Sequence, residues 1–409
     1  MSKSLDKHDP SDLAILGGDP LFTRPLAVGR PNVGNVDRFL GRVRDILDTR
    51  WLTNDGPYVQ EFESRIAELA GTRYCVAMSS GTVALEIASR GLGLLEEVIM
   101  PAFTFVATAH ALMWQGTRPV FCDIEPQTHH IDPGAVEALI NHRTSGILAV
   151  HLWGKTCDVD GLAEIAKRHG LPLMFDACHA LGVSQGGRRV GTFGACEVLS
   201  FHATKYLNTF EGGAVVTDDA ELAEKLRYMR NFGFCGEDCV AHLGTNGKMN
   251  EVAAAMGLTL LEERDELVAV NKSNYEAYLR EIDGACGLHV MQYPSDGAYN
   301  YQHVVAMIDE DDACLERDHV VTVLRAENVL ARRYFYPGCH RMKPYSAMHE
   351  YAAVHLPVTD DIAARVIVLP TGPQLSHDDI AHIGTILRLA ATAAPRIVAR
   401  LRESGSAWC

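Results

Sequence analysis

The sequence predicts an α/β fold in which helices cover both faces of a mostly parallel sheet, followed by a smaller α+β domain. Short apolar runs alternate with amphipathic helical stretches from about residue 36 to about residue 270, as expected for buried parallel strands joined by helices. After residue 270 this alternation ends. The chain has 409 residues, 47% of them hydrophobic and 22% charged. It is therefore long enough for two or three domains and too apolar to be disordered.

The elements of the predicted large domain follow one another in a regular order. Two amphipathic helices come first, at 36–47 and 59–70, and strand–helix pairs follow them. Each predicted strand is a short apolar run, and each predicted helix places its apolar residues on one face. The strands are predicted at 74–78, 98–101, 119–124, 146–152, 172–176 and 198–202, and the helices between them at 83–92, from 106, at 134–142 and at 162–170.

The last third of the chain predicts a different arrangement. Helices and strands no longer alternate one for one there, which is typical of an α+β domain. Helices are predicted at 274–282, 319–329 and 378–394, and strands at 288–293 and 301–308. The predicted organisation is an N-terminal arm (1–25), a large domain (26–270) and a small C-terminal domain (271–409).

Composition argues against several classes of protein. The net charge of −15 disfavours nucleic-acid binding, which needs clustered Lys and Arg. The 11 cysteines are irregularly spaced, so reduced thiols are expected rather than a disulfide framework or a metal site. Since the sequence has neither a long apolar run nor a signal peptide, we expect a cytoplasmic protein that does not enter the membrane.

Polar or aromatic residues follow the predicted strands, where ligands bind in open α/β sheets. The segment 79–82 (Ser-Ser-Gly-Thr) follows strand 74–78 and opens a helix. The free N–H groups and the dipole of a helix start favour an anion such as phosphate, although Ser or Thr also serves there as a plain helix cap. Phe103 and Phe105 follow the next strand and fit either ring stacking or the core.

A carboxylate and a lysine close two further apolar runs. Asp176 ends the run 172–176, where a half-buried carboxylate serves a ligand, a helix cap or a structural ion pair. Lys205 follows the run 198–202; a desolvated lysine there can form a Schiff base, and an ordinary surface lysine is the alternative. In this order, an anion site, an aromatic ring, an acid and a lysine form the layout that pyridoxal 5′-phosphate (PLP) requires.

Longer stretches around these residues resemble the DegT/StrS family of sugar aminotransferases, which are PLP enzymes of fold type I. The resemblance extends from about residue 30 to about residue 387, and several motifs in order are more specific than any one of them. The matching stretches include WLTNDGP (51–57), SSGTVALE (79–86), PAFTFVATAHA (101–111), PVFCDI (119–124), DACHALG (176–182), SFHATKYLNTFEGGAVVTDD (200–219), RNFGF (230–234), LGTNGKMNEVAAAMGL (243–258) and RRYFYPGCHRMKPY (332–345).

The resemblance implies a role for each matching residue. Lys205 would be the Schiff-base lysine and the general acid/base, and Asp176 the partner of the pyridine nitrogen. His179 would lie beside the ring oxygen of PLP, and Phe105 would stack on its ring. The phosphate site would consist of the N–H groups of Gly81 and Thr82, the hydroxyl of Ser200, and Asn246 of a neighbouring subunit.

The same resemblance implies an enzyme that is a homodimer with shared active sites. It would take an amino group from L-glutamate, release 2-oxoglutarate, hold the group as pyridoxamine 5′-phosphate, and pass it to a keto sugar carried on a nucleotide. Splitting the transfer in this way gives ping-pong kinetics. The acceptor implied is dTDP-4-keto-6-deoxy-D-glucose, aminated at C4 in the biosynthesis of an antibiotic deoxysugar.

Other functions remain open from the sequence. Among enzymes, the acceptor could be a 3-keto nucleotide sugar or a keto-inositol. A PLP-dependent sugar dehydratase is disfavoured because members of that group carry histidine where this chain has Lys205. A PLP-binding regulator without catalytic activity would be expected to carry a basic DNA-binding module, and the sequence offers no basic cluster for one.

Overall fold

A seven-stranded sheet forms the centre of the molecule in the computed structural model, which describes residues 7–309, 312 and 314–404. Its spatial order is β1-β7-β6-β5-β4-β2-β3, and only β7 runs against the other strands. The strands are β1 (Tyr74–Met78), β2 (Glu97–Pro101), β3 (Arg118–Cys122), β4 (Thr144–Val150), β5 (Leu173–Asp176), β6 (Cys196–Ser200) and β7 (Gly213–Thr217). The predicted mostly parallel α/β sheet is therefore confirmed.

Helices cover both faces of this sheet and continue through the described residues of the predicted small domain, up to residue 404. The two predicted N-terminal helices are confirmed, and each ends with a residue in the left-handed conformation, Arg50 and Gly71. No helix in the described ranges is both long and apolar enough to cross a membrane. The helices are α1 (Val36–Thr49), α2 (Pro57–Ala70), α3 (Gly81–Gly91), α4 (Val106–Met113), α5 (Pro133–Leu139), α6 (Val159–His169), α7 (Ala220–Met229), α8 (Glu251–Glu262), α9 (Arg264–Glu281), α10 (Arg317–Ala326), α11 (Lys343–Ser346), α12 (Pro357–Arg365), α13 (His377–Thr392) and α14 (Ala394–Ser404).

A three-stranded antiparallel sheet forms the centre of the C-terminal part. Its order is β8 (Leu288–Val290), β9 (Val304–Ile308) and β10 (Val366–Leu369). The sequence predicted β8 and β9 but not β10, because a run of four apolar residues directly after a helix does not distinguish a strand from a last helical turn. Helix α9 spans residue 270, so a continuous helix connects the two predicted domains.

Buried side chains alternate between the two faces of the central sheet. Along β1, Cys75 and Ala77 pack into one core, and Val76 and Met78 pack into the core on the opposite face. This alternation follows from the strand period of two residues. Both faces of the sheet are therefore covered by apolar side chains. The polar side chains that line a cavity lie at the edge where the strands end.

The described part of the N-terminal arm packs on the small domain. Leu13 and Phe22 belong to the small-domain core, and residues Leu26–Ala27 pair in parallel with Val329–Leu330. The buried carboxylate of Glu327 fixes the arm, because it accepts the N–H groups of Ala14 (2.7 Å) and Leu21 (2.8 Å) and pairs with Lys7 (3.0 Å). The first and last thirds of the chain therefore fold together.

Candidate active site

The residues that follow β1, β2, β5 and β6 line one cavity of about 340 Å³. The carboxyl ends of these parallel strands meet at one edge of the sheet, so segments far apart in the chain converge there. The structure places Asn246 outside this cavity. The predicted site residues that do line it are Gly81, Thr82, Phe105, Asp176, His179, Ser200 and Lys205.

The start of α3 forms an anion-binding end of the cavity. Ser80 caps the helix, since its Oγ accepts the N–H of Val83 at 3.2 Å. The N–H groups of Gly81 and Thr82 precede the first hydrogen bonds within the helix. A Cβ on Gly81 would lie 3.1 Å from the Cβ of Ser200, so glycine allows the helix start to approach the serine hydroxyl. This arrangement suits a phosphate group.

Asp176 is a buried carboxylate that neighbouring groups hold in one orientation. Its Oδ2 accepts the hydroxyl of Thr108 at 2.8 Å, and its Oδ1 accepts the N–H of Cys178 at 3.0 Å. The hydroxyl of Thr104 lies 3.1 Å from that of Thr108 and extends the network. Each carboxylate oxygen can accept a second hydrogen bond. Asp176 is thus oriented to receive one more donor from the cavity.

Lys205 lies in the loop after β6 and is half-buried. Burial lowers the pKa of Lys205 below its ordinary value, although Cys178 and Asp176 nearby act in the opposite direction. The loop is held in part by the N–H of Lys205, which donates to the carbonyl of His202 at 2.8 Å. A lysine with a lowered pKa reaches its nucleophilic, uncharged form more readily.

His179 is a buried, uncharged imidazole on the cavity wall. Its Nδ1 has no hydrogen-bond partner, and its ring stacks on Phe335 with centroids 6.0 Å apart. Burial lowers the pKa of His179 well below its ordinary value, and the charge of Lys205 and the neighbouring His303 lower it further. His179 therefore offers a neutral N–H donor rather than a positive charge.

The two phenylalanines after β2 have different surroundings. Phe103 is fully buried among apolar residues, whereas Phe105 is 56% exposed and lines the cavity. Phe105 is the residue immediately before α4. The ring of Phe105 is therefore free to stack on a flat ligand, and the core interpretation applies to Phe103.

Asn246 lies on a different surface. It is exposed and forms an isolated antiparallel bridge with Asn231. Large apolar side chains are exposed nearby in the sequence, among them Phe232 and Leu243, the latter 71% exposed. Within one chain, Asn246 makes no contribution to the cavity wall.

The small domain supplies part of the cavity wall. The sequence motifs did not predict which of its residues line the cavity. Arg332, Tyr334 and Phe335 belong to the stretch 332–345 that carried the family resemblance. Only the folded structure shows that these three residues reach the cavity. Gln302 and His303 lie at the start of a predicted strand, and no local motif marked them. The small-domain residues lining the cavity are Gln302, His303, Arg332, Tyr334 and Phe335.

The chemistry of this residue set fits PLP. The start of α3 and Ser200 match its phosphate, and the oriented Asp176 matches its pyridine nitrogen. Lys205, with its lowered pKa, matches its aldehyde carbon, and the unpartnered, neutral His179 matches an ionised ring oxygen. Each polar position of PLP thus has a complementary group in the cavity.

Comparison with protein families gives one match over most of the chain. Residues 35–388 match the model described as the DegT/DnrJ/EryC1/StrS aminotransferase family. Among curated proteins, the chain is 36% identical over 365 residues to the dTDP-4-amino-4,6-dideoxy-D-glucose transaminase of Shigella dysenteriae, covering 89% of this chain and 99% of that protein. It is 31% identical to the GDP-perosamine synthase of Vibrio cholerae, covering 86% of this chain and 94% of that protein.

Solved structures resemble most of the chain. The structure of DesI in the presence of its TDP-sugar product is 47% identical and covers 96% of this chain and 99% of its own, with a TM-score of 0.92. PseC of Helicobacter pylori, an aminotransferase involved in the biosynthesis of pseudoaminic acid, is 27% identical, with a TM-score of 0.82. PseC covers 89% of this chain and 98% of its own.

Proposed function

The chain belongs to the DegT/DnrJ/EryC1/StrS aminotransferase family, and from this premise we propose that it transfers an amino group from L-glutamate to C4 of dTDP-4-keto-6-deoxy-D-glucose. It is a PLP-dependent nucleotide-sugar aminotransferase of fold type I. The observation that carries the proposal is one cavity containing Lys205, Asp176 and the start of α3. The choice of sugar is supported by relatives named for a dTDP-linked 4-amino sugar and by DesI with its TDP-sugar.

The proposed roles follow from the positions of the side chains. The N–H groups of Gly81 and Thr82 and the hydroxyl of Ser200 bind the phosphate. Asp176 accepts the pyridine N–H and keeps that nitrogen protonated. Phe105 stacks on one face of the ring, and PLP supplies an electron sink when bound.

Lys205 moves the proton in this proposal. Burial favours its uncharged amine, which can accept the proton from the α-carbon of the donor amino acid. The same side chain would then return that proton to the carbon on the other side of the amino nitrogen, because its flexible stem reaches both positions. In the second half of the reaction the direction reverses, and Lys205 delivers a proton to the carbon of the sugar that gains nitrogen.

An absorbance experiment tests this function. Wild-type protein loaded with PLP should absorb visible light and lose that band when excess L-glutamate is added, and dTDP-4-keto-6-deoxy-D-glucose should restore it. Lys205→Ala should not complete the cycle, whereas Lys272→Ala, which alters a surface lysine, should behave as wild type. A visible band that L-glutamate leaves unchanged would refute the proposed donor, and failure to bind PLP would refute the role of Lys205.

Product analysis tests the acceptor. NMR of the product should place the new nitrogen at C4, and nitrogen at C3 would contradict the proposal. Competing dTDP-linked and GDP-linked 4-keto sugars in one reaction should give mainly the dTDP product. A preference for the GDP sugar would instead align the chain with the GDP-perosamine synthases.

We also propose a homodimer in which Asn246 of each subunit reaches the cavity of its partner. Asn246 is exposed and lies outside its own cavity. Large apolar side chains are exposed on neighbouring segments, including Trp51, Leu52 and Phe232. An exposed apolar surface of this kind marks an interface, and a second copy would bury it.

Mixing two inactive variants tests the shared site. Lys205→Ala and Asn246→Ala proteins, unfolded together and refolded, should regain part of the wild-type activity because mixed dimers contain one intact site. Light scattering should give twice the mass of one chain. A monomer, or no recovery in the mixture, would contradict the proposal. A role in antibiotic biosynthesis and a cytoplasmic location remain predictions from the sequence.

A further inference from the structure

Three residues in one short segment of the small domain, Asn300, Gln302 and His303, contact the loop that carries His179. We refer to residues 300–303 as the 300–303 clamp. They directly precede β9, and Gln302 and His303 line the same cavity as Lys205. The clamp leads into a different sheet from the one that carries the residues assigned to the cofactor, so its contacts connect the two predicted domains at the site.

Two amide side chains of the clamp hold the main chain of His179. The carbonyl oxygen of His179 accepts the Nε2 of Gln302 at 2.6 Å and the Nδ2 of Asn300 at 2.9 Å. The Nδ2 of Asn300 also lies 3.2 Å from the carbonyl of Leu181. A carbonyl oxygen has two lone pairs, so the small domain occupies both acceptor positions of His179.

Gln302 also reaches the loop of the catalytic lysine. Its Oε1 accepts the N–H of Tyr206 at 3.4 Å, and Tyr206 directly follows Lys205. One side chain therefore bridges the main chain of His179 to the main chain beside Lys205. Both loops belong to the large domain, and Gln302 fixes their separation from outside it.

His303 holds the ring of His179 from the same segment. The two ring centroids are 4.4 Å apart, and His303 is 9% exposed. Burial, and then the charge of Lys205, lower the pKa of His303 to about 3, so the contact is between two uncharged rings at neutral pH. The main chain and the ring of His179 are thus both supported by the clamp.

We propose that Gln302 is a positioning residue that sets the distance between His179 and the Lys205 loop, and through it the hydrogen bond from His179 to the ring oxygen of PLP. This inference rests on the proposed role of His179 at that oxygen. A hydrogen bond to an ionised oxygen favours the ionised form. If His179 donates a weaker hydrogen bond, the ring oxygen keeps more of its negative charge. This charge favours the protonated form of the Lys205 nitrogen beside it.

The experiment measures the visible absorbance of the PLP-loaded protein as a function of pH. Gln302→Leu should shift the pH at which the visible band is half lost upward by about half a unit or more, the size expected for a lost hydrogen bond to a charged group. It should also weaken PLP binding several-fold. Gln302→Met keeps the side-chain length and should shift the midpoint in the same direction if the leucine variant folds poorly.

Gln115→Leu is a matched control from outside the cavity. Gln115 is also half-buried, and its Nε2 donates to the carbonyls of Glu86 and Ala111 at 2.9 Å. Its loss should lower stability without moving the spectral midpoint. If Gln302→Leu or Gln302→Met changes the midpoint no more than Gln115→Leu does, the positioning role is wrong. A wild-type protein that shows no visible band with PLP would instead refute the proposed function itself.

Discussion

At the scale of single residues, the site combines a carboxylate held in one orientation with an amine whose pKa is lowered. Asp176 is held by Thr108 and by the N–H of Cys178, so its carboxylate is oriented by the protein alone. Lys205 is only half-buried, and its pKa is lowered by burial. The oriented carboxylate is suited to hold the cofactor ring. The amine is suited to move a proton, because it can gain and lose one.

Asp176→Asn should separate cofactor binding from catalysis. The amide has the same size and keeps an oxygen for Thr108, but it no longer stabilises a protonated pyridine nitrogen. We expect PLP still to bind and the rate of the glutamate half-reaction to fall by about 10²–10³-fold, the cost of removing one preorganised electrostatic group. Stopped-flow loss of the visible band measures this rate. Asp132→Asn, at the start of α5, is the control, and equal rates in the two variants would contradict the assignment.

His151, directly after β4, and Glu197, in β6, form a buried pair of titratable side chains. The Nε2 of His151 is 3.3 Å from Oε2 of Glu197, and both side chains are fully buried. Burial disfavours a charge on His151, yet Cys157 and Glu197 raise its pKa from the ordinary 6.5 to about 10. A raised histidine pKa contributes stability that is complete below the ordinary pKa and is lost as the pH rises through the raised one.

Glu197→Gln should therefore change both the stability and its pH dependence. Breaking a buried pair costs about 3–5 kcal/mol, so the variant should have a lower free energy of unfolding in acidic to neutral urea titrations. Wild-type stability should decline between pH 6.5 and about 10. In the variant this decline should be smaller and end at a lower pH, because only Cys157 then raises the pKa of His151. Glu224→Gln, on the surface of α7, should retain the wild-type decline; a similar decline in Glu197→Gln would disprove the role of the pair.

At the scale of elements, the sequence predicts the parts of the site that follow strands. β1 has the bounds that its apolar run predicted. Asp176 ends β5 and Lys205 lies in the loop after β6, where the pattern placed them. The same reasoning could not separate Phe103 from Phe105, because only the fold shows which ring is exposed. Gln302 was beyond prediction, since its contacts join residues more than 90 positions apart.

The approach of α3 to β7 leads to an element-scale prediction. A Cβ on Gly213 would lie 2.5 Å from the main-chain nitrogen of Gly81, so Gly213→Ala should push the start of α3 away from the phosphate position. We expect PLP affinity to fall at least tenfold and stability to decrease by about 1–3 kcal/mol. Equilibrium titration with PLP and urea unfolding measure the two effects.

Gly41→Ala is the matched glycine control for that prediction. Gly41 lies within α1, and a Cβ there would meet no atom within 4 Å. Because alanine favours helix over glycine, this variant should gain about 0.5–1 kcal/mol of stability with unchanged PLP affinity. Equal affinities in Gly41→Ala and Gly213→Ala would show that the close approach of α3 and β7 does not shape the phosphate position.

At the scale of the whole molecule, the N-terminal arm attaches the beginning of the described chain to residues 327–330. Glu327→Ala should remove the contacts of its carboxylate with Lys7, Ala14 and Leu21. The buried lysine would then keep its hydrogen bonds to main-chain carbonyls but lose its ion-pair partner. We expect a loss of about 3–5 kcal/mol and faster cleavage of the arm by subtilisin, located by mass spectrometry. Glu164→Ala on the surface of α6 should resist cleavage as wild type does. An arm that is equally protected in both variants would contradict this anchoring role.

The pairing of Leu26–Ala27 with Val329–Leu330 also determines an order of events during synthesis. The arm is synthesised before its partner strand, which follows roughly 300 residues later, a delay of about 15–60 s at ordinary translation rates. Until then Leu13 and Phe22 have no core to enter. The nascent chain can therefore complete its central sheet before Leu13 and Phe22 reach the core in which they are buried.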